Sequence, residues 1–188
     1  MNRRDFNQII LGGAAALSVD SAFAIDYLTP EKARSLLLPL ASSFAEFNLQ
    51  LTAEQMAAVG KLGRVAPRSV QWRLSQAFND QGQIIGAFVV DNVIGKYELI
   101  TYAVAVSANG AVSGVEVLSY RESHGGEIRL PAWRKQFVGK TTRDAIEVGN
   151  DIALISGATL SSVHVTDGVR RIGAVLEVAR DAWTKKQA

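Results

Sequence analysis

The sequence predicts an α+β domain: an antiparallel β-sheet flanked by amino-terminal helices and a long carboxy-terminal helix. Three observations carry this expectation. Apolar and polar residues alternate in runs between Val70 and Tyr120, the period of half-buried strands. Asn109-Gly110 sits between two of these runs, and strands joined by so tight a hairpin must run antiparallel. Val165, Val169, Ile172, Leu176, Ala179 and Trp183 are spaced 4, 3, 4, 3, 4, which lays one apolar stripe along a helix.

Taken in order, Thr29-Pro30-Glu31 supplies an N-cap, a proline at the first helical position and an acid in the first turn. A helix is expected from about Pro30 to Phe47, broken or kinked at Pro39. Thr52-Ala53-Glu54-Gln55 is a capping box that opens a second helix ending near Gly60 or Gly63. Val70, Trp72 and Leu74 suggest a first strand, Ile84 to Val90 a second and Glu98 to Val106 a third, in which Ile100, Tyr102, Val104 and Val106 share a face. The Asn109-Gly110 turn needs positive φ at both central residues, which Asn-Gly tolerates best, and a fourth strand returns over Val112 to Tyr120. On the last helix Arg170, Arg171, Glu177, Arg180 and Asp181 fall mostly away from the apolar stripe and are expected at the surface. No repeat, low-complexity tract or linker interrupts the chain, so one domain is expected over residues 25–188.

Composition narrows the chemistry. The chain of 188 residues has no cysteine and 2 histidines. That excludes disulfides, thiolate nucleophiles, Cys-ligated zinc or iron–sulfur clusters and covalent c-type haem, and it argues against a multi-histidine metal site. Lys+Arg 20 against Asp+Glu 18 gives a net charge of +2 with no basic run, which argues against nucleic-acid binding. With 48% hydrophobic residues there is material for a buried core. Residues 1–24 have the layout of an export signal: a charged start, the short apolar run Ile9 to Val19, and Ala22-Phe23-Ala24 as the cleavage site. Arg3-Arg4-Asp5-Phe6 resembles a twin-arginine signal. The apolar run is too short and too rich in Gly and Ala to span a bilayer stably, so after cleavage before Ile25 no transmembrane helix is expected.

The segment with chemical promise is Ser156-Gly157-Ala158-Thr159-Leu160-Ser161-Ser162, immediately before the last helix. Small residues allow close backbone approach, and hydroxyls and free N–H groups at a helix start favour an anion such as phosphate. An ordinary Ser/Thr N-cap after a tight turn would have the same composition. Ser-Gly-Ala-Thr-x-Ser-Ser opening a carboxy-terminal helix resembles the motif of the FMN-binding domain family, which includes the C subunit of sodium-pumping NADH:quinone reductase and the G subunit of Rnf electron-transfer complexes. Two further stretches support the likeness, which covers about residues 80–178. Glu122-Ser123-His124-Gly125-Gly126-Glu127-Ile128 is similar to the family's Glu-Thr-x-Gly loop over the flavin ring, and Trp133 to Lys140 is similar to the segment ending in Gln-Phe-x-Gly-Lys.

The resemblance implies a periplasmic flavoprotein that relays electrons between redox partner proteins, membrane-bound ones included. A flavin transferase would cleave FAD and join FMN by a phosphoester to the motif threonine, here Thr159. Ser156, Gly157, Ala158, Ser161, Glu122, Ser123, His124 and Gly125 would complete the cofactor site, with no metal and no catalytic side chain. In one respect the sequence departs from the family: where an aspartate six residues before the threonine helps the transferase recognise its substrate, Ala153 stands, and the nearest acid is Asp151. The expectation therefore divides between covalent attachment, with Asp151 serving instead, and non-covalent or lost FMN. Outside the electron-carrier class, the alternative is a flavin reductase completed by a partner subunit. Residue by residue, Glu122 either bonds the ring or shapes its loop, and His124 either tunes the flavin or structures that loop. Gly125 and Gly126 permit close approach to a planar ligand or simply turn the chain. Trp133 is expected in the core; Arg170 is expected on the surface, and His164 is assigned no role.

Overall fold

The computed structural model describes residues 25–185; the export signal, its cleavage site and residues 186–188 lie outside the described residues. Six strands form one antiparallel sheet in the order β1-β6-β5-β4-β3-β2. They are β1 (Ile25–Asp26), β2 (Ser43–Gln50), β3 (Gln71–Phe78), β4 (Ile84–Ile94), β5 (Leu99–Ser107) and β6 (Val112–Tyr120). Helices α1 (Pro30–Leu37) and α2 (Ala53–Gly63) lie early in the chain. The short α3 (Pro131–Arg134) lies between two 3₁₀ turns, and α4 (Thr159–Val178) and α5 (Arg180–Thr184) close it. Fold class and the four expected strands are as the alternation predicts.

The sheet separates two cores because successive side chains point to opposite faces. On the larger side Ile100, Tyr102, Val104 and Val106 of β5 do share a face, packed with Val89, Val115 and Val117 against Val165, Val169, Ile172 and Leu176 of α4. On the other side α1 sets Ala33, with Leu38, on Ala77, Phe88, Ala103, Ala105 and Leu118. The second core is narrow because alanines line the sheet there, so one short helix covers it.

Three expectations are corrected. The first helix stops at Leu37, and Ser43–Gln50 is a strand paired along its length with β3. Pro39 forces its predecessor out of the α region, and Leu38 has φ −128° and ψ 64°. Beyond it Phe47 packs on the larger core and Phe44 on the smaller, an alternation that only an extended chain allows. The last helix breaks at Ala179, although Trp183 of α5 is still buried. Arg171 is not on the surface: it is 7% exposed, its Nε donates to the carbonyl of Ala66 at 2.8 Å, and its guanidinium lies 3.9 Å from Asp91. Asp91 also accepts from the Tyr102 hydroxyl, so one buried polar cluster fixes the middle of α4 to β4 and β5.

Candidate functional site

The start of α4 reaches the sheet edge where the β4–β5 turn and the loop after β6 converge. A cavity of about 350 Å³ opens there, lined by Lys96, Tyr97, Glu122, Ser123, His124, Gly157, Ala158, Thr159, Leu160 and Ser161. Seven of the nine sequence-predicted site residues line it: Glu122, Ser123, His124, Gly157, Ala158, Thr159 and Ser161. Gly125 lines an adjoining cleft instead, with Tyr27, Tyr120 and Arg129. Ser156 is exposed just before the turn and lines neither.

The two motif segments are held against each other through Tyr120 and Gly125. The Tyr120 hydroxyl donates to the carbonyl of His124 and lies 3.3 Å from the buried Ser161 hydroxyl, and burial pushes its pKa up. Gly125 has φ +84°, and a Cβ there would collide with Ala158 and sit 2.8 Å from the Tyr120 hydroxyl. Only a residue without a side chain lets the loop lie this close to the helix start. Gly157, at φ +80°, turns the chain into α4.

That helix start has no side-chain cap: Ala158 stands at the N-cap position and is buried, while Ser162 turns its hydroxyl back to the Ala158 carbonyl. The N–H groups of the first turn therefore face the cavity side without a capping oxygen, at the positive end of a 20-residue helix. Thr159 is exposed beside them, and among the described residues its hydroxyl has no hydrogen-bond partner. Lys96 is the one lysine or arginine among the lining residues. Free N–H donors, a lysine and small residues suit a phosphate monoester, and the volume and mixed lining suit a small planar cofactor. Among the described residues no cluster of His, Asp or Glu could hold a metal.

Lys96 and Tyr97 are the residues that sequence reasoning missed; the only sequence trace of them is Gly95 breaking the apolar run between β4 and β5. Glu122 Oε1 accepts from the Tyr97 N–H at 2.6 Å and the Glu98 N–H at 2.9 Å, so its carboxylate shapes the turn beside the cavity. Burial pushes the Glu122 pKa up, but the N–H groups of Glu98, Tyr97 and Lys96 outweigh it and the net shift is downward.

The Trp133 to Lys140 segment lies outside the cavity and braces the approach to it. Trp133 is buried, as expected, and its indole donates to the Ala153 carbonyl at 2.8 Å; the Gln136 side chain accepts from the Ala153 N–H at 2.8 Å. Lys140 pairs with Asp151 at 2.8 Å, and Asp151 also accepts from the N–H groups of Ile146 and Glu147 at 3.0 and 2.8 Å. The carboxylate of Asp151 is thus committed to its own loop. His164 contacts the carbonyl of Ile94 at 2.5 Å, tying α4 to the end of β4.

Residues 95–173 match the model of the FMN-binding domain family, a span that contains every residue lining the cavity. The G subunit of the Na(+)-translocating ferredoxin:NAD(+) oxidoreductase complex of Acetobacterium woodii is 28% identical over 101 residues, covering 47% of this chain and 47% of that protein. The chain thus spans about half the length of this curated relative. The crystal structure of Shewanella oneidensis NqrC superposes with a TM-score of 0.56 at 17% identity, over 82% of this chain and 97% of that one, a likeness of fold. From the turn after β4 to the latter part of α4, residues 95–173, the chain is a domain of the FMN-binding family.

Proposed function

We propose that this protein is an exported electron carrier in which FMN is joined by a phosphoester to Thr159. The observation that supports this best is the uncapped start of α4, which opens on the cavity with the Thr159 hydroxyl exposed beside it. In the joining step the Thr159 Oγ–phosphorus bond forms as the pyrophosphate bond of FAD breaks, AMP leaves, and the hydroxyl proton is lost. A flavin transferase is the partner this requires.

The chain's own residues bind and orient. The N–H groups of the first turn of α4 and the ammonium of Lys96 receive phosphate oxygens. The Ser123-His124-Gly125 loop and Tyr97 flank the remaining space. When bound, the flavin supplies the redox chemistry, and the protein sets its potential through hydrogen bonds, charge and burial. No nucleophile–base pair lines the cavity, which favours a relay between protein partners over turnover of a small substrate. A tether suits a protein outside the cytoplasm, where dilution would drain a dissociable cofactor. Redox partners in a membrane complex, as the name of the relative suggests, are part of this reading. Among the described residues no helix is long and apolar enough to cross a membrane.

A second reading, non-covalent FMN in the same cavity, is favoured by one observation: Asp151, the acid nearest to Ala153, is fully engaged by Lys140 and two backbone N–H groups. Protein exported in the presence of a flavin transferase decides between them. Covalent attachment gives a fluorescent band on a denaturing gel and an FMN-bearing peptide containing Thr159, both lost in Thr159→Ala. A yellow protein with an unmodified peptide establishes the second reading, and a colourless protein overturns both.

A further inference from the structure

The β4–β5 turn forms one wall of the cavity, yet its own backbone does not close it. Gly95 N–H donates to the Glu98 carbonyl at 2.8 Å, but the N–H groups of Tyr97 and Glu98 go to Glu122, 25 and 24 residues away in sequence. A carboxylate from the loop after β6 thus takes the place of the acceptor that a hairpin turn normally supplies from its own strand. The fit requires Gly95: a Cβ there would lie 2.5 Å from Glu122 Oε1 and 3.1 Å from Glu122 Cγ. The two side chains held on this turn are Lys96, whose ammonium lies 4.8 Å from the centre of the Tyr97 ring, and Tyr97 itself, which is 76% exposed.

We propose that Glu122 is a positioning residue of the FMN site: without bonding to the cofactor, it pins the Gly95–Glu98 turn so that Lys96 and Tyr97 form a fixed wall of the cavity. This deepens the proposed function and rests on it for the identity of the occupant. An ionised carboxylate is the stronger acceptor for two N–H groups, and the downward pKa shift of Glu122 agrees with an ionised clasp. The position of Lys96 matters because it brings the lining its one full positive side-chain charge apart from histidine. An unpinned turn would let both side chains move away into solvent, since little else covers Tyr97.

The test uses Glu122→Ala, Glu122→Gln and Gly95→Ala in the full mature chain. In protein without FMN, amide exchange at Tyr97 and Glu98 should quicken about tenfold or more in Glu122→Ala and Gly95→Ala, as expected for losing a charge-assisted hydrogen bond. Glu122→Gln keeps an acceptor oxygen and should retain most of the protection. In protein carrying FMN at Thr159, quenching of flavin fluorescence by neutral acrylamide should rise in the first and third variants and stay near the wild type in Glu122→Gln, with the adduct present in all three. Unchanged exchange in Glu122→Ala overturns the clasp. Protection retained in Glu122→Gln together with an altered flavin absorption spectrum overturns it too, because Glu122 would then touch the cofactor. Absence of FMN from wild-type protein refutes the proposed function, and with it the link to FMN, whereas the exchange result without FMN reports on the clasp alone.

Discussion

At the start of α2, Thr52 accepts from the Gln55 N–H at 3.2 Å while the Gln55 side chain accepts from the Thr52 N–H at 2.9 Å, and α1 begins with Thr29 accepting from Lys32. At the start of α4, the longest helix, Ala158 offers no acceptor and the first turn carries no acid. All three ends face the same deficit of unpaired N–H groups. Two of them are satisfied locally; the third opens on a cavity flanked by Lys96, Glu122 and His124. Capping is a local device that this sequence uses readily elsewhere, so its absence at α4 separates a helix end that serves stability from one available to a ligand.

The largest test of that division is Thr159→Ala. It should abolish the FMN adduct completely, read by denaturing-gel fluorescence, while changing the urea midpoint of the FMN-free protein little: the side chain is exposed and unpartnered, and such positions usually stay within about 0.5 kcal/mol. Gly125→Ala should act on both properties. The positive φ and the collision with Ala158 should cost on the order of 1–3 kcal/mol in urea unfolding, and the displaced loop should lower FMN loading. Thr52→Ala provides the opposite case. Losing the capping box should cost about 1 kcal/mol and leave FMN loading as in the wild type. A changed loading in Thr52→Ala would break the separation between the two kinds of helix end.

The same contrast shows what was legible in the sequence. Caps and apolar stripes depend on neighbours a few residues apart, so α2, the four main strands and the inward face of α4 could be read directly. Strand β2 could not, because Thr29-Pro30-Glu31 announces a helix without announcing its end, and the partner that makes Ser43–Gln50 extended is β3, met much later in the chain. Arg171 looked like a surface charge because its neutralising contacts, Ala66 and Asp91, come from two distant segments. In the site, Thr159 and the Glu122-to-Gly125 loop were visible as motifs. Lys96 and Tyr97 were not, since only the bond from Glu122 across the sheet edge brings their turn to the cavity. The Ala153 position was legible as a departure, but that Asp151 is bound by Lys140 was not.

The smallest effect expected concerns acid. Glu31 and Glu54 sit in the first turns of α1 and α2. The Glu31 pKa is lowered by its own N–H and by the Thr29 hydroxyl, and that of Glu54 by the Thr52 hydroxyl and then its own N–H. A carboxylate with a depressed folded-state pKa contributes stability that is present above its unfolded-state pKa and is lost as pH falls through the folded value. Lowering the pH through the carboxylate range should therefore loosen the starts of α1 and α2 slightly, read as faster exchange of their first-turn amides after correction for intrinsic rates. The start of α4 has no such acid, so its first-turn amides should show no corresponding loss apart from that of the whole fold. Equal loosening at all three ends would mean that a carboxylate elsewhere, Glu122 foremost by position, also supports the start of α4, and the helix end assigned to the ligand would then share the device that serves stability in the other two.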